Sequence, residues 1–342
     1  MITRVLTPEE GGVSEAAAIL RAGGLVAIPT ETVYGLAADA LSQVAAASVF
    51  EAKGRPQDNP LIVHIAGEDM LSPLVPEIPG RAKALMEAFW PGPLTIILPK
   101  SDNVPDSVTA GLPTVAVRMP SHPVALAVIW ETGRPLAAPS ANRSGFPSPT
   151  AAAHCLADLN GRIPLILDGG SCEVGVESTV VTLCGKTARI LRPGAVTPGD
   201  IAAVLGGVEI DPAVTLPVGE NETVSSPGMK YRHYAPRARV IILEGDDFGP
   251  FRRLPDLNRP GTHCLVFEEE LADCPVPALS LGPKKDCAEH ARRLFAALRE
   301  LDDRGAELIC ARVAGKGEGS LAVYNRMLRA AGFEVIRGGD VL

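Results

Sequence analysis

Side chains able to hold an anion recur along the first half of the chain, at points where apolar runs give way to polar ones. Thr30, Thr32 and Tyr34 lie in PTETVYGL, directly after the run Leu25-Val26-Ala27-Ile28. Lys53, Arg55, Asn59 and His64 lie in KGRPQDNPLIVHI, and Arg118 ends the alternating segment TVAVRMP that opens at Thr114. Ser140, Asn142 and Ser148 lie in PLAAPSANRSGFPSPT, and Glu177-Ser178-Thr179 with Arg192 make a fifth group. Arg offers carboxylate or phosphate a planar fork and Lys a compact charge. Ser and Thr hydroxyls, with turn amides, line phosphate oxygens. Lys53, Arg55, Arg118 and Arg192 together would focus a positive pocket, so the chemistry suggested is capture of a polyanion with hydroxyl or amide handles. Each group also has a plainer reading. Lys53 and Arg55 suit a helix C-terminus, His64 a hydrogen-bonded core position, Tyr34 half-buried packing, and the serines ordinary turns.

For such distant residues to meet, the elements between them must bring strand ends to one crevice. Apolar periodicity predicts helices over 13–22, 42–53, 81–90, 122–132 and 198–205, and strands over 25–28, 61–65, 94–98, 165–168, 179–183 and 188–192. Their alternation predicts an α/β fold, a twisted open mixed or largely parallel sheet with covering helices. The pattern lapses over 207–238, then resumes with strands 240–243, 263–267 and 307–310 and helices 285–301 and 319–331. The expected organisation is therefore a catalytic domain over 1–206, a linker over 207–238 and a small three-layer α/β domain over 239–342.

Composition agrees with two cores. The 342 residues are 46% hydrophobic but only 4% aromatic, which describes cores of Ala, Val, Leu and Ile. A net charge of −8 argues against broad, sequence-independent nucleic-acid binding. Seven cysteines with no CxxC pair read as reduced thiols of a cytoplasmic protein. No leader-like apolar region opens the sequence and no run of 18 apolar residues occurs, so membrane insertion is not expected. GKT at 185–187 lacks the first glycine of a P-loop, since Val180 stands there, and GKGEGS at 315–320 lacks dinucleotide-site spacing.

In order, PTETVYGL, KGRPQDNPLIVHI, WPGPLT, TVAVRMPSHP, APSANRSGFPSPT, DGG, GVESTVV and ILRPG resemble the YrdC/Sua5 family of threonylcarbamoyl-AMP synthases. The later SPGMKYRHYAP and the small α/β tail resemble the two-domain Sua5 type. The resemblance implies a YrdC-like sheet followed by a Rossmann-like Sua5 domain. It implies condensation of L-threonine, bicarbonate or CO2, and ATP to threonylcarbamoyl-AMP and pyrophosphate, for t6A37 synthesis in tRNA. Thr30, Thr32, His64, Arg118 and Ser178 would surround threonine, with Arg118 on its carboxylate. Lys53, Arg55, Asn59, Thr114, Ser140, Asn142, Ser148 and Arg192 would hold ATP, with Tyr34, Lys53 and Arg55 as the catalytic set. Mg2+ would arrive on the triphosphate, held by its oxygens and by water, with no protein cage and no bound organic cofactor. The product would pass to a tRNA threonylcarbamoyl transferase complex, with direct tRNA binding weak or absent.

The linker adds an expectation of its own. Lys230, Tyr231, Arg232, His233 and Tyr234 put two of the four tyrosines beside three side chains that can carry positive charge. They would form a lid that keeps water from the nucleotide site, or else a basic patch that docks the two domains. Two other functions stay open. A carbamoyltransferase would carry an acylphosphatase-like module and zinc fingers ahead of the first motif, and this chain has about 25 residues there. A non-catalytic RNA-binding module is the other, and the acidic balance opposes it.

Overall fold

The computed structural model describes residues 2–217 and 234–340, which group into two units, 2–144 with 148–217 and 145–147 with 234–340. The first unit opens with β1 (Arg4–Leu6), α1 (Gly12–Arg21), β2 (Val26–Ile28), β3 (Gly35–Asp39), α2 (Gln43–Lys53) and β4 (Ile62–His64). It continues through α3 (Gly80–Phe89), β5 (Leu94–Pro99), α4 (Asp106–Thr109), β6 (Thr114–Arg118), α5 (Pro123–Thr132) and β7 (Leu136–Ala137). It closes with α6 (Ala152–Leu159), β8 (Leu165–Leu167), β9 (Thr179–Thr182), β10 (Arg189–Arg192), α7 (Pro198–Leu205) and β11 (Glu209–Ile210).

Local chemistry sets the helix ends. Ser42 Oγ accepts the Ala45 N–H at 3.3 Å to start α2, and Gly54 at φ 61° ends it in the left-handed region. Thr197 and Asp200 cap α7 reciprocally, with Pro198 at its first position.

The strands form one mixed sheet in the order β1-β8-β2-β3-β7-β4-β6-β5-β9-β10-β11. Alternation along each strand divides it into two faces. One face carries Ala27, Leu36, Val63, Val117, Ile96 and Val181 into the larger core, where Val49 and Phe50 of α2 and Leu85 of α3 pack. On the other face Ala16 and Leu20 of α1 and Ala125, Val128 and Ile129 of α5 cover Val26, Ile28, Ala37, Leu136, Leu165 and Leu167. That second helical layer stops at β7. Beyond it Ile62, Ala116, Ile97, Val180 and Leu191 form a separate apolar floor, against which Ala213 of the short turn Pro212–Val214 packs.

PTETVYGL is therefore not a single polar turn. The turn ends at Tyr34, and Gly35 and Leu36 already pair with Ile28 and Ala27 across the β2–β3 hairpin.

In the second unit β12 (Arg239–Glu244), β13 (Thr262–Val266), β14 (Ala278–Ser280), β15 (Leu308–Arg312) and β16 (Val335–Arg337) lie in the order β14-β13-β15-β12-β16. All four pairings are parallel, with α8 (Cys287–Asp303) and α9 (Leu321–Ala330) alongside. Buried Arg312 pairs with Glu270 at 3.0 Å and donates to the Leu243 and Gly245 carbonyls, each at 2.8 Å. The fold class is the one expected, an α/β mixed sheet followed by a smaller parallel one.

Candidate active site

The half of the first sheet's second face that no described helix covers gathers several of the expected site residues. Strand pairing sets His64 beside Arg118 and places Thr95 in the same row, since Ile96 pairs with Val117. Residues directly opposite share a face, so these three side chains stand together over the floor of Ile62, Ala116 and Ile97. Thr114 shares that face and stands about 13 Å along β6 from Arg118, four strand rises away. The site thus runs across a face of the sheet as well as along its edge, which differs from a crevice made only of strand ends.

The turn between β2 and β3 reaches onto this face. Thr30 Oγ1 donates to the Val33 carbonyl at 2.6 Å and accepts the N–H groups of Thr32 and Val33, each at 3.2 Å. Its one proton is committed, so in the 2.9 Å contact between the two hydroxyls Thr32 is the donor. Arg118 Nη1 in turn donates to Thr32 Oγ1 at 2.8 Å. The protons run one way, from Arg118 through Thr32 and Thr30 to Val33. What Thr32 Oγ1 can still offer a ligand is an acceptor.

Arg118 is 4% exposed and its Nε donates to the Gly92 carbonyl at 3.2 Å. Its Nη2 lies 2.6 Å from Glu31 Oε1, off the alignment of a hydrogen bond, so the contact is an ion pair. Burial pushes the Glu31 carboxyl up, but the Arg118 charge, aided by the N–H groups of Glu31 and Ser121, holds it below the ordinary carboxylate range. His64 moves the other way. Burial first, then the neighbouring Arg118 charge, take its pKa down to about 3, so the imidazole is neutral at pH 7.

A second group gathers where β9 starts and β10 ends. Ser178 Oγ meets Thr95 Oγ1 at 2.7 Å, and Arg192 donates to the Ser178 carbonyl at 3.1 Å and to its hydroxyl at 3.2 Å. The chain after Arg192 passes so close that a Cβ on Gly194 would stand 2.3 Å from the Thr179 nitrogen. Only glycine fits there. Ser148 donates to the buried Glu177 carboxylate.

Several expected residues are placed, but with protein partners of their own. The Lys53 ammonium donates to the Ser140 and Asn142 carbonyls, and so anchors the 140–142 turn. Ser140 Oγ donates to Asn142 Oδ1 at 2.5 Å. Arg55 Nη2 reaches the carbonyls of Asn59 and Pro60 at 3.3 and 3.2 Å. Tyr34 is fully buried, and its hydroxyl donates to the Gly170 carbonyl at 2.7 Å and accepts the Gly169 N–H at 3.2 Å. Burial raises its pKa, so the phenol keeps its proton, and the hydroxyl is held by the Asp168–Gly170 turn. The nearby Cys172 thiol is likewise pushed up to about 12 by burial and is no nucleophile at neutral pH.

Of the expected lid, Lys230, Tyr231, Arg232 and His233 lie outside the described residues. Tyr234 is buried in the second unit, its ring 5.4 Å from Phe295 and 5.7 Å from the Arg326 guanidinium. Sequence reasoning missed Glu31 and Thr95. Glu31 stood between the two threonines of PTETVYGL, and Thr95 was the one polar residue in the strand LTIIL. Among the described residues no group of three or more His, Cys, Asp or Glu side chains could hold a metal ion, and no helix is long and apolar enough to cross a membrane.

Comparison with known proteins agrees with these motifs. Residues 18–194 match the Sua5/YciO/YrdC family, described as "Telomere recombination", and residues 196–332 match the "Threonylcarbamoyl-AMP synthase, C-terminal domain". A threonylcarbamoyl-AMP synthase of Pyrococcus abyssi is 48% identical over 335 residues, 96% of each chain. One of Bacillus subtilis is 45% identical over 340 residues, 98% of this chain and 97% of the relative. The crystal structure of P. abyssi Sua5 complexed with L-threonine superposes with a TM-score of 0.91 at 44% identity, covering 98% of this chain and 99% of that one. The chain belongs to the Sua5/YrdC family, in its two-domain Sua5 form.

Proposed function

We propose that the protein is an L-threonylcarbamoyladenylate synthase, forming threonylcarbamoyl-AMP and pyrophosphate from L-threonine, bicarbonate or CO2, and ATP. The observation that carries this reading is Arg118, buried and held by Thr32 on the bare face of the sheet, in a chain so similar to a protein crystallised with L-threonine. The threonine amine adds to CO2 to give a carbamate. A carbamate oxygen then attacks the α-phosphorus of ATP, and pyrophosphate leaves. No covalent enzyme intermediate is needed; the work is positioning and charge stabilisation.

Arg118 takes the threonine carboxylate, and Thr32, limited to accepting, takes an N–H of its amino group. His64 enters uncharged and adds no second positive charge at that end. Ser178, just before β9, and Arg192, at the end of β10, stand next to it, and Thr114 marks the far end of a face long enough for a nucleotide. Lys53, Arg55, Asn59, Ser140, Asn142 and Ser148 shape the nucleotide side, Lys53 by fixing the turn that presents Ser140. The donors on this face suit phosphate oxygens, and Mg2+ would enter on the triphosphate, held by its oxygens and by water. The reaction belongs in the cytoplasm, with the product handed to a tRNA-modifying transferase.

The test is to incubate the protein with ATP, Mg2+, bicarbonate and each amino acid in turn, and to follow pyrophosphate. Release is expected only when threonine and bicarbonate are both present. Release independent of either one would overturn the reading.

A further inference from the structure

We infer that Glu31 is a positioning residue for this reaction, acting through Arg118 to present the guanidinium to the substrate carboxylate; the inference rests on the synthase reading above. Both residues are 4% exposed, and their contact joins the β2–β3 turn to the end of β6. Glu31 is held there by more than its ion pair, because its carbonyl accepts the Val174 N–H at 2.8 Å. A fixed carboxylate therefore faces a long side chain that could otherwise adopt several rotamers.

The donor count of Arg118 shows what this does. A guanidinium has five N–H donors. Nε is given to Gly92 and one N–H of Nη1 to Thr32, while Nη2 lies against the Glu31 carboxylate as an ion pair without spending a hydrogen bond. One N–H of Nη1 and both of Nη2 remain, enough donors for a carboxylate to take two of them in parallel hydrogen bonds. Gly92 and Thr32 are neutral partners, so the orienting charge is that of Glu31, which also balances the buried Arg118 charge. A guanidinium buried without that charge would be strongly destabilised and would turn toward other acceptors.

The experiment compares wild type, Glu31→Gln and Glu31→Asp, reading steady-state constants by pyrophosphate release, L-threonine binding by calorimetry, and Tm. Glu31→Gln keeps the shape and removes the charge. It is expected to raise both the KM and the Kd for threonine at least tenfold, while the KM for ATP stays within twofold. Glu31→Asp keeps the charge and should recover at least a third of the lost threonine affinity. Unchanged threonine binding in Glu31→Gln overturns the inference, as does an equal rise in both KM values, or Glu31→Asp no better than Glu31→Gln. A wild type without threonine-dependent pyrophosphate release would instead sink the synthase reading; wild-type activity with an indifferent Glu31→Gln sinks only the role of Glu31.

Discussion

His64 takes its chemistry first from burial and then from Arg118, its neighbour in the row. Its pKa of about 3 in the fold compares with 6.5 for the free side chain. Between those values the unfolded chain binds a proton that the folded one refuses, so stability from this group is complete above pH 6.5 and falls as the pH drops toward 3. The slope is at most about 1.4 kcal/mol per pH unit. In urea denaturation at stepped pH, His64→Asn should lose less stability than wild type between pH 6.5 and 5; parallel curves would clear His64 of that role. Lys53 shows how much a residue type tells and where it stops. Its presence near the site was legible in KGRPQDNP, but its ammonium serves the Ser140 and Asn142 carbonyls, partners about 90 residues away that no local pattern can announce.

At the scale of elements, the joint between β9 and β10 is the tightest part of the site. The β9–β10 register shifts between Ile190 and Arg192, which turns Arg192 back onto Ser178. Gly194 allows that close pass. Gly194→Ala should force the two backbones apart and destabilise the protein by about 2 kcal/mol, the usual size of an overpacking penalty. A thermal melt would read this loss, with threonine-dependent turnover falling alongside; a fully active variant with wild-type Tm would contradict it. Most helices and apolar strands were legible to within two or three residues, because their periodicity is local. The strand β3 was not. GLAAD has little strand character of its own, and it is extended because β2 and β7 pair with it on either side. Thr95 was hidden for a related reason, since only the pairing of β5 with β6 shows which face it joins.

At the scale of the whole molecule, the two units rest on different devices. The second relies on a charge inside its sheet layer, with the Arg312 guanidinium 5.3 Å from the Phe251 ring centroid and 5.7 Å from that of Phe267. Glu270→Ala would strand that charge and should destabilise the second unit by about 3–5 kcal/mol. Hydrogen exchange along β15 is the direct readout, and wild-type protection there would show the pair to be dispensable. The first unit depends on long-range pairing: β5 (Leu94–Pro99) waits for β9 (Thr179–Thr182), and β1 for β8. For a chain emerging from the ribosome, this order has a cost in time. When Arg118, His64 and the paired threonines are already synthesised, β5 still has one edge bare, open to pairing with any strand that meets it. Ser178 and Arg192, two residues of the proposed site, come from the late-made end of the sheet, at β9 and β10. A chain broken off before β9 therefore keeps an adhesive edge, and on the proposed site it should be inactive and not merely a weaker enzyme.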